Sequence, residues 1–129
     1  VSTTPKRRAQ AYFQLGTKRS PVMTLELART PEEQAQGLMG RYEMLPHYGM
    51  LFVYTEPGQY GFWMKGTHIP LDIAWLNRSG HVVDRAHMEP HDETLHRPIT
   101  PVYFALELNA GALDKYGVKI GDRLVRLQG

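Results

Sequence analysis

The chain has 129 residues, 42% of them hydrophobic and 22% charged, which fits one globular domain large enough to bury a core without cross-links. It has no cysteine, which excludes disulfides, a thiolate nucleophile and cysteine-based zinc sites. No apolar stretch approaches the ~20 residues of a membrane span, and the chain contains no signal-type apolar segment.

The net charge of +2 is unevenly placed. Residues 1–19 carry Lys6, Arg7, Arg8, Lys18 and Arg19 and no acid, leaving 10 basic and 13 acidic residues, or −3, for the remainder. Residues 1–20 are therefore expected to form a flexible basic arm, disordered over 1–11, with Tyr12, Phe13 and Leu15 offering a short first strand. Such an arm can touch phosphate or anionic lipid, or simply be solvated. Residues 21–129 are expected to form the folded domain.

Val22–Ala28 alternates, with Met23, Leu25 and Leu27 on one face and Thr24 and Glu26 on the other, as a half-buried strand does. Thr30-Pro31-Glu32-Glu33 starts a helix over 31–39: Thr30 caps it, Pro31 suits the first turn, and Glu33 completes a capping box. A loop follows over 40–48. Strands are expected at 49–54, 61–65, 71–77 and 81–88, with hairpin turns at Glu56-Pro57-Gly58 and at Asn77-Arg78-Ser79-Gly80, together a meander. His87–Pro101 holds three prolines and many polar side chains and reads as a long loop. Val102–Leu108 alternates again, a short helical turn runs from Asn109 to Tyr116, and a last strand spans Arg123–Gln128. The fold class is mostly β, a β-rich α+β domain: a small closed or partly closed barrel of about seven short strands with two short helices.

The segment F-W-M-K-G-T-H-I-P-L-D, together with T-P-E-E-Q-A-Q-G-L-M-G-R, P-H-Y-G-M-L-F-V-Y, L-E-L-N-A-G and G-V-K-I-G-D, resembles domain-of-unknown-function family 192 over Val22–Leu127. The resemblance rests on Glu33, Gly37, Leu38, Met39 and Arg41; on Gly49–Phe52; on Phe62–Lys65, Thr67 and Pro70–Asp72; and on Glu107, Gly111, Gly121 and Asp122. Gly66 departs from it, because the family usually places Asn there. The resemblance implies the fold and a site but no activity. Many members resemble exported proteins, which points to a periplasmic or secreted location.

The candidate ligand-binding residues are Arg41, Tyr60, Trp63, Lys65, Thr67, Asp72 and Glu107. Lys65, Asp72 and Glu107 form either a pocket floor or a structural ion-pair network. If the protein is an enzyme, Asp72 and Glu107 are the acid and base of a hydrolase acting on carbohydrate or a similar polar substrate, since such chemistry needs two carboxyls at a defined separation. Trp63 and Tyr60 offer flat faces for a sugar ring, whereas Trp75 is expected in the core. Arg41 suits a carboxylate or phosphate, or pairs with Glu33 or Glu107. His87, Glu89, His91, Asp92, Glu93 and His96 are metal-ligand types, but their spacing matches no defined motif, so no metal and no cofactor is expected. There is no nucleophile elbow or phosphate loop, and no basic face for nucleic acid outside the arm. The partner is a small polar ligand or another protein; an interaction domain without a small-molecule site is the remaining reading.

Overall fold

The computed structural model describes residues 7–127. Its elements are β1 (Arg8–Leu15), β2 (Lys18–Arg19), β3 (Met23–Ala28), α1 (Pro31–Gln36), β4 (Tyr48–Gly58), β5 (Leu71–Leu76), β6 (Val82–Met88), β7 (Val102–Asn109), α2 (Ala112–Tyr116) and β8 (Arg123–Arg126). They build one sheet in the order β2-β1-β3-β4-β7-β5-β6, with β8 also paired to β1. The sheet curls into a half-barrel. A single bridge, His81 opposite Arg123, joins the β6 end to β8, supported by Val82 N donating to Asp122 O at 2.8 Å and Leu124 N to Gly80 O at 2.9 Å. Closure of this kind leaves little free strand edge.

The pattern of alternation divides the core into two layers. The inner layer gathers Phe13, Met23, Leu25, Leu76, Leu106 and Leu108, with Leu113 of α2 stopping one end. The outer layer gathers Met50, Phe52, Leu71, Ile73, Trp75 and Ala105 under Leu38, Met64 and Ile69. β5 is buried on both faces, so its six residues show no polar side.

α1 starts as its sequence dictates. Thr30 Oγ1 accepts from Glu33 N at 3.1 Å, and Glu33 Oε1 accepts from Thr30 N at 3.1 Å. The helix ends at Gln36, three residues early, because Gly37 leaves the helix with φ +49. It serves as the crossover that lets β3 and β4 run parallel.

Three expectations are corrected. First, the flexible arm over 1–20 does not hold from Arg8 onward, since β1 is a sheet strand with Phe13 fully buried; residues 1–6 lie outside the described residues. Ala9, Ala11 and Phe13 face the inner layer at period two, a pattern obscured by the neighbouring basic residues. Second, residues 61–65 are not a strand: Phe62 makes one bridge, to His96. β4 instead continues through Glu56-Pro57-Gly58, with an irregularity between Val53 and Gly58, and Gly58 pairs with Val102. Third, the meander is reduced to the β5–β6 hairpin, because β7 inserts between β4 and β5.

Candidate functional site

β7 places Glu107 on the outer face, in a cross-strand row between Met50 of β4 and Ile73 of β5. The residue is only 4% exposed. Burial alone pushes its carboxyl up to about 8, and no hydrogen bond or salt bridge among the described residues engages it. The carboxyl borders a cavity of about 230 Å³ between α1 and residues 61–67, lined also by Gln34, Leu38, Phe52, Tyr54, Trp63, Lys65 and Thr67.

The walls of this cavity follow from local structure. Gln34 Nε2 donates to Ala28 O at 3.2 Å and Val53 O at 2.9 Å, which ties α1 to the sheet. Phe62 is set edge-on to Phe52, with centroids 4.8 Å apart, and Met64 is fully buried. The alternation over 62–65 therefore leaves Trp63 and Lys65 outward; Trp63 is 49% exposed, and Lys65 Nζ sits 5.5 Å from its ring centroid. The turn reverses at Gly66, whose φ of +70 is the left-handed region that Gly and Asn tolerate best. Gly66 thus meets the backbone requirement of this turn. Thr67 is buried, and its N donates to Met64 O at 3.0 Å.

Asp72 does not join this site. It stands opposite Leu108, one residue out of step with Glu107, so the two carboxyls occupy opposite faces of the sheet. Asp72 Oδ2 accepts from Gly111 N at 3.0 Å and Leu113 N at 3.2 Å, anchoring the start of α2, and Oδ1 lies 3.4 Å from His87 Nδ1. The proposed acid–base pair is therefore separated by the sheet and cannot act on one bond, and Lys65 shares a cavity with Glu107 rather than with Asp72.

Arg41 is also committed elsewhere. Its guanidinium binds Glu26 through two bonds of 2.6 and 2.7 Å, not Glu33 or Glu107. Glu26 stands opposite Met50, so the ion pair lies on the outer face two strands from Glu107, about 10 Å at ordinary strand spacing. Tyr60 packs as a plate on Tyr54, with centroids 3.6 Å apart, while its hydroxyl donates to Glu56 O at 2.6 Å and its carbonyl accepts from Trp75 Nε1 at 3.1 Å. It supports the cavity wall without lining it. Burial, chiefly, raises the Tyr54 hydroxyl above its ordinary value, so Tyr54 stays neutral beside Glu107.

The histidines around the long loop meet separate partners, except that the buried Nε2 of His96 makes no hydrogen bond among the described residues. His87 meets Glu89 and Asp72, and hydrogen bonding to Glu89 raises its pKa. His68 contacts His91 and stacks on Tyr42, and His96 Nε2 lies 3.8 Å from Asp92. Among the described residues no three His, Asp or Glu side chains converge as a metal set. Two participants escape sequence reasoning: Glu26, whose place on the polar side of an alternating strand reads as solvent-facing, and Gln34, an ordinary helix residue by pattern.

A β half-barrel with a cavity on its covered outer face is the class of protein that these features define. The sequence profile of the family DUF192, described as "Uncharacterized ACR", matches residues 13–126, and the chain belongs to that family. A crystal structure from Sinorhizobium meliloti, of a protein named only provisionally as a transcription regulator, is 34% identical with TM-score 0.93, covering 97% of this chain and 98% of that one. A Novosphingobium aromaticivorans protein of unknown function is 34% identical with TM-score 0.89, covering 97% and 89%. Among curated proteins, none matches. No helix of the described residues is long and apolar enough to cross a membrane.

Proposed function

We propose that this chain is a small ligand-binding module and that its outer cavity takes a small, uncharged, hydroxyl-rich molecule such as a sugar ring. One observation carries the reading: a carboxyl that is almost wholly buried, engaged by no partner among the described residues, faces a cavity. A buried polar group is costly unless hydrogen-bonded, so a ligand that bonds to it recovers that cost. With its pKa near 8, Glu107 is mostly protonated at pH 7 and both donates and accepts, as a hydroxyl requires of its partner. The half-exposed Trp63 ring supplies a flat apolar face, and Lys65 a donor at the rim. The volume of about 230 Å³ suits one ring, with part of the ligand in the mouth. An extracytoplasmic location is carried by the resemblance to exported family members.

The placement of Asp72 and Glu107 on opposite faces of the sheet gives no support to an acid–base hydrolase built on that pair. The name of the Sinorhizobium structure is not transferred, since α1 and α2 have six and five residues and neither offers the length of a groove-reading helix. An interaction domain draws support from Tyr42 and Leu45, 77% and 71% exposed on the loop after α1.

Thermal-shift and calorimetric titration with monosaccharides, disaccharides and polyols tests the proposal. A true ligand raises the melting temperature by mass action, by about 2.7 kcal/mol of stability at a hundredfold excess over Kd. Trp63→Ala and Lys65→Ala should weaken the effect and Glu107→Ala should abolish it. A panel without effect, or a stabilisation that survives Glu107→Ala, removes the cavity from the account.

A further inference from the structure

The half-barrel has a second cavity, on the opposite side of the sheet from Glu107. It occupies about 340 Å³ at the open end of the inner layer. The other end is stopped by Leu113 and Val118, which belong to the inner core. Leu51, Val53, Phe104 and Leu124 line the cavity and remain only half-buried, although they stand at inward-facing positions of their strands. Inward-facing apolar side chains with residual exposure mark space that water fills at a cost.

The rim differs chemically from the walls. Arg29, Arg78 and Arg126 line it, each exposed, and no acidic residue is among the lining residues. Arg41 and Arg85 each hold a carboxylate, at 2.6 and 2.7 Å. Among the described residues Arg29, Arg78 and Arg126 form no salt bridge; Arg78 reaches only the ring of Tyr103, 5.9 Å from its centroid. Three like charges around one apolar mouth repel one another and favour a shared anion. Guanidinium groups suit a planar carboxylate because they can bind it through two parallel bonds.

We propose that the open end of the half-barrel binds an amphiphilic monoanion, a medium-length aliphatic chain bearing a carboxylate, with the chain against Leu51, Val53, Phe104 and Leu124 and the carboxylate among Arg29, Arg78 and Arg126. The volume bounds the enclosed part of the chain: at roughly 30 Å³ per water-sized group, the cavity holds about ten heavy atoms, so an eight-carbon acid is accommodated whole and a sixteen-carbon acid leaves part of its chain outside. This site is independent of the outer cavity, because the two lie on opposite faces of one sheet.

The test is isothermal titration of the full chain with octanoate, acetate and 1-octanol at low salt. Octanoate is expected to bind at least tenfold more tightly than either single-feature probe. The double variant Arg78→Gln/Arg126→Gln, both at exposed positions, should lose at least tenfold for octanoate while its binding of 1-octanol stays within twofold. Leu51→Trp, which fills the cavity, should block both octanoate and octanol. Circular dichroism melts confirm that each variant is folded, and octanoate binding should be unchanged in Trp63→Ala, which keeps this result separate from that of the outer cavity. Acetate binding as tightly as octanoate reduces the site to an anion patch. Octanol binding as tightly reduces it to an apolar hollow. Co-sedimentation with phosphatidylglycerol vesicles that octanoate does not displace reassigns the arginines to a membrane surface. Each of these three results, or unchanged octanoate affinity in the double arginine variant, overturns the proposal.

Discussion

Replacing Glu107 by glutamine keeps the shape of the side chain and removes its ionisation. In the folded chain the carboxyl holds its proton up to about 8, whereas in the unfolded chain it releases it near the ordinary 4.5. Between these values the native state binds one more proton than the unfolded state, so stability falls as pH rises. The slope is about 1.4 kcal/mol per pH unit, which accumulates to about 3 kcal/mol by pH 7 and about 5 kcal/mol by pH 8. Above pH 8 the penalty is constant, and below pH 4.5 it vanishes. Against the 5–15 kcal/mol of a typical domain, that is a large fraction. Urea denaturation of wild type and Glu107→Gln at intervals from pH 4 to 9 reads the effect, and subtracting the two curves cancels every other titrating group. The variant should match wild type within about 1 kcal/mol near pH 4 and exceed it by several kcal/mol at pH 8. Parallel curves across the whole range would falsify the assignment of Glu107 as a buried, protonated group.

Further outcomes follow from the neighbouring contacts. Asp72→Ala strips the acceptor from Gly111 N and Leu113 N, and should cost about 1–3 kcal/mol in urea denaturation without changing ligand binding at the outer cavity. Arg41→Met leaves the Glu26 carboxylate buried without its guanidinium; because the Arg41 side chain is 31% exposed, the loss should be about 2 kcal/mol, below that of a fully buried pair, and Glu26→Gln in the same chain should restore part of it. At Gly66, φ +70 makes alanine cost about 1–2 kcal/mol in melting experiments and asparagine clearly less, although either side chain must shift Met39 Cε, 3.1 Å from the added Cβ. Equal costs for the two substitutions would count against a backbone explanation of Gly66.

Much of the architecture was legible because it rests on period-two alternation. Val22–Ala28, Val102–Leu108 and the capping box at Thr30 each appear in the structure within a few residues of their expected places. The order of strands was not legible: nothing local to Val102–Leu108 says that it slides between β4 and β5, since pairing is chosen by layers of side chains far apart in sequence. Residues 62–65 alternate like a strand, yet they face a loop and make a single bridge. The same limit governs the site. Glu107, Trp63, Lys65 and Thr67 could be gathered from the sequence, and the structure brings them to one cavity. Asp72 lies close to Lys65 and Thr67 in sequence, but a one-residue offset from Glu107 on adjacent strands puts its side chain on the far face. Glu26 shows the converse, a carboxylate on the apparently polar side of a strand that the outer layer covers and Arg41 neutralises.

The most direct measurement is a carbon-13 NMR titration of the Glu107 side-chain carboxyl, assigned by comparison with Glu107→Gln, from pH 4 to 10. A midpoint near 8 is expected, moving when a bound sugar hydrogen-bonds to the carboxyl. A midpoint near 4.5, unchanged by any ligand in the panel, would mean a solvated carboxylate and no site at this cavity.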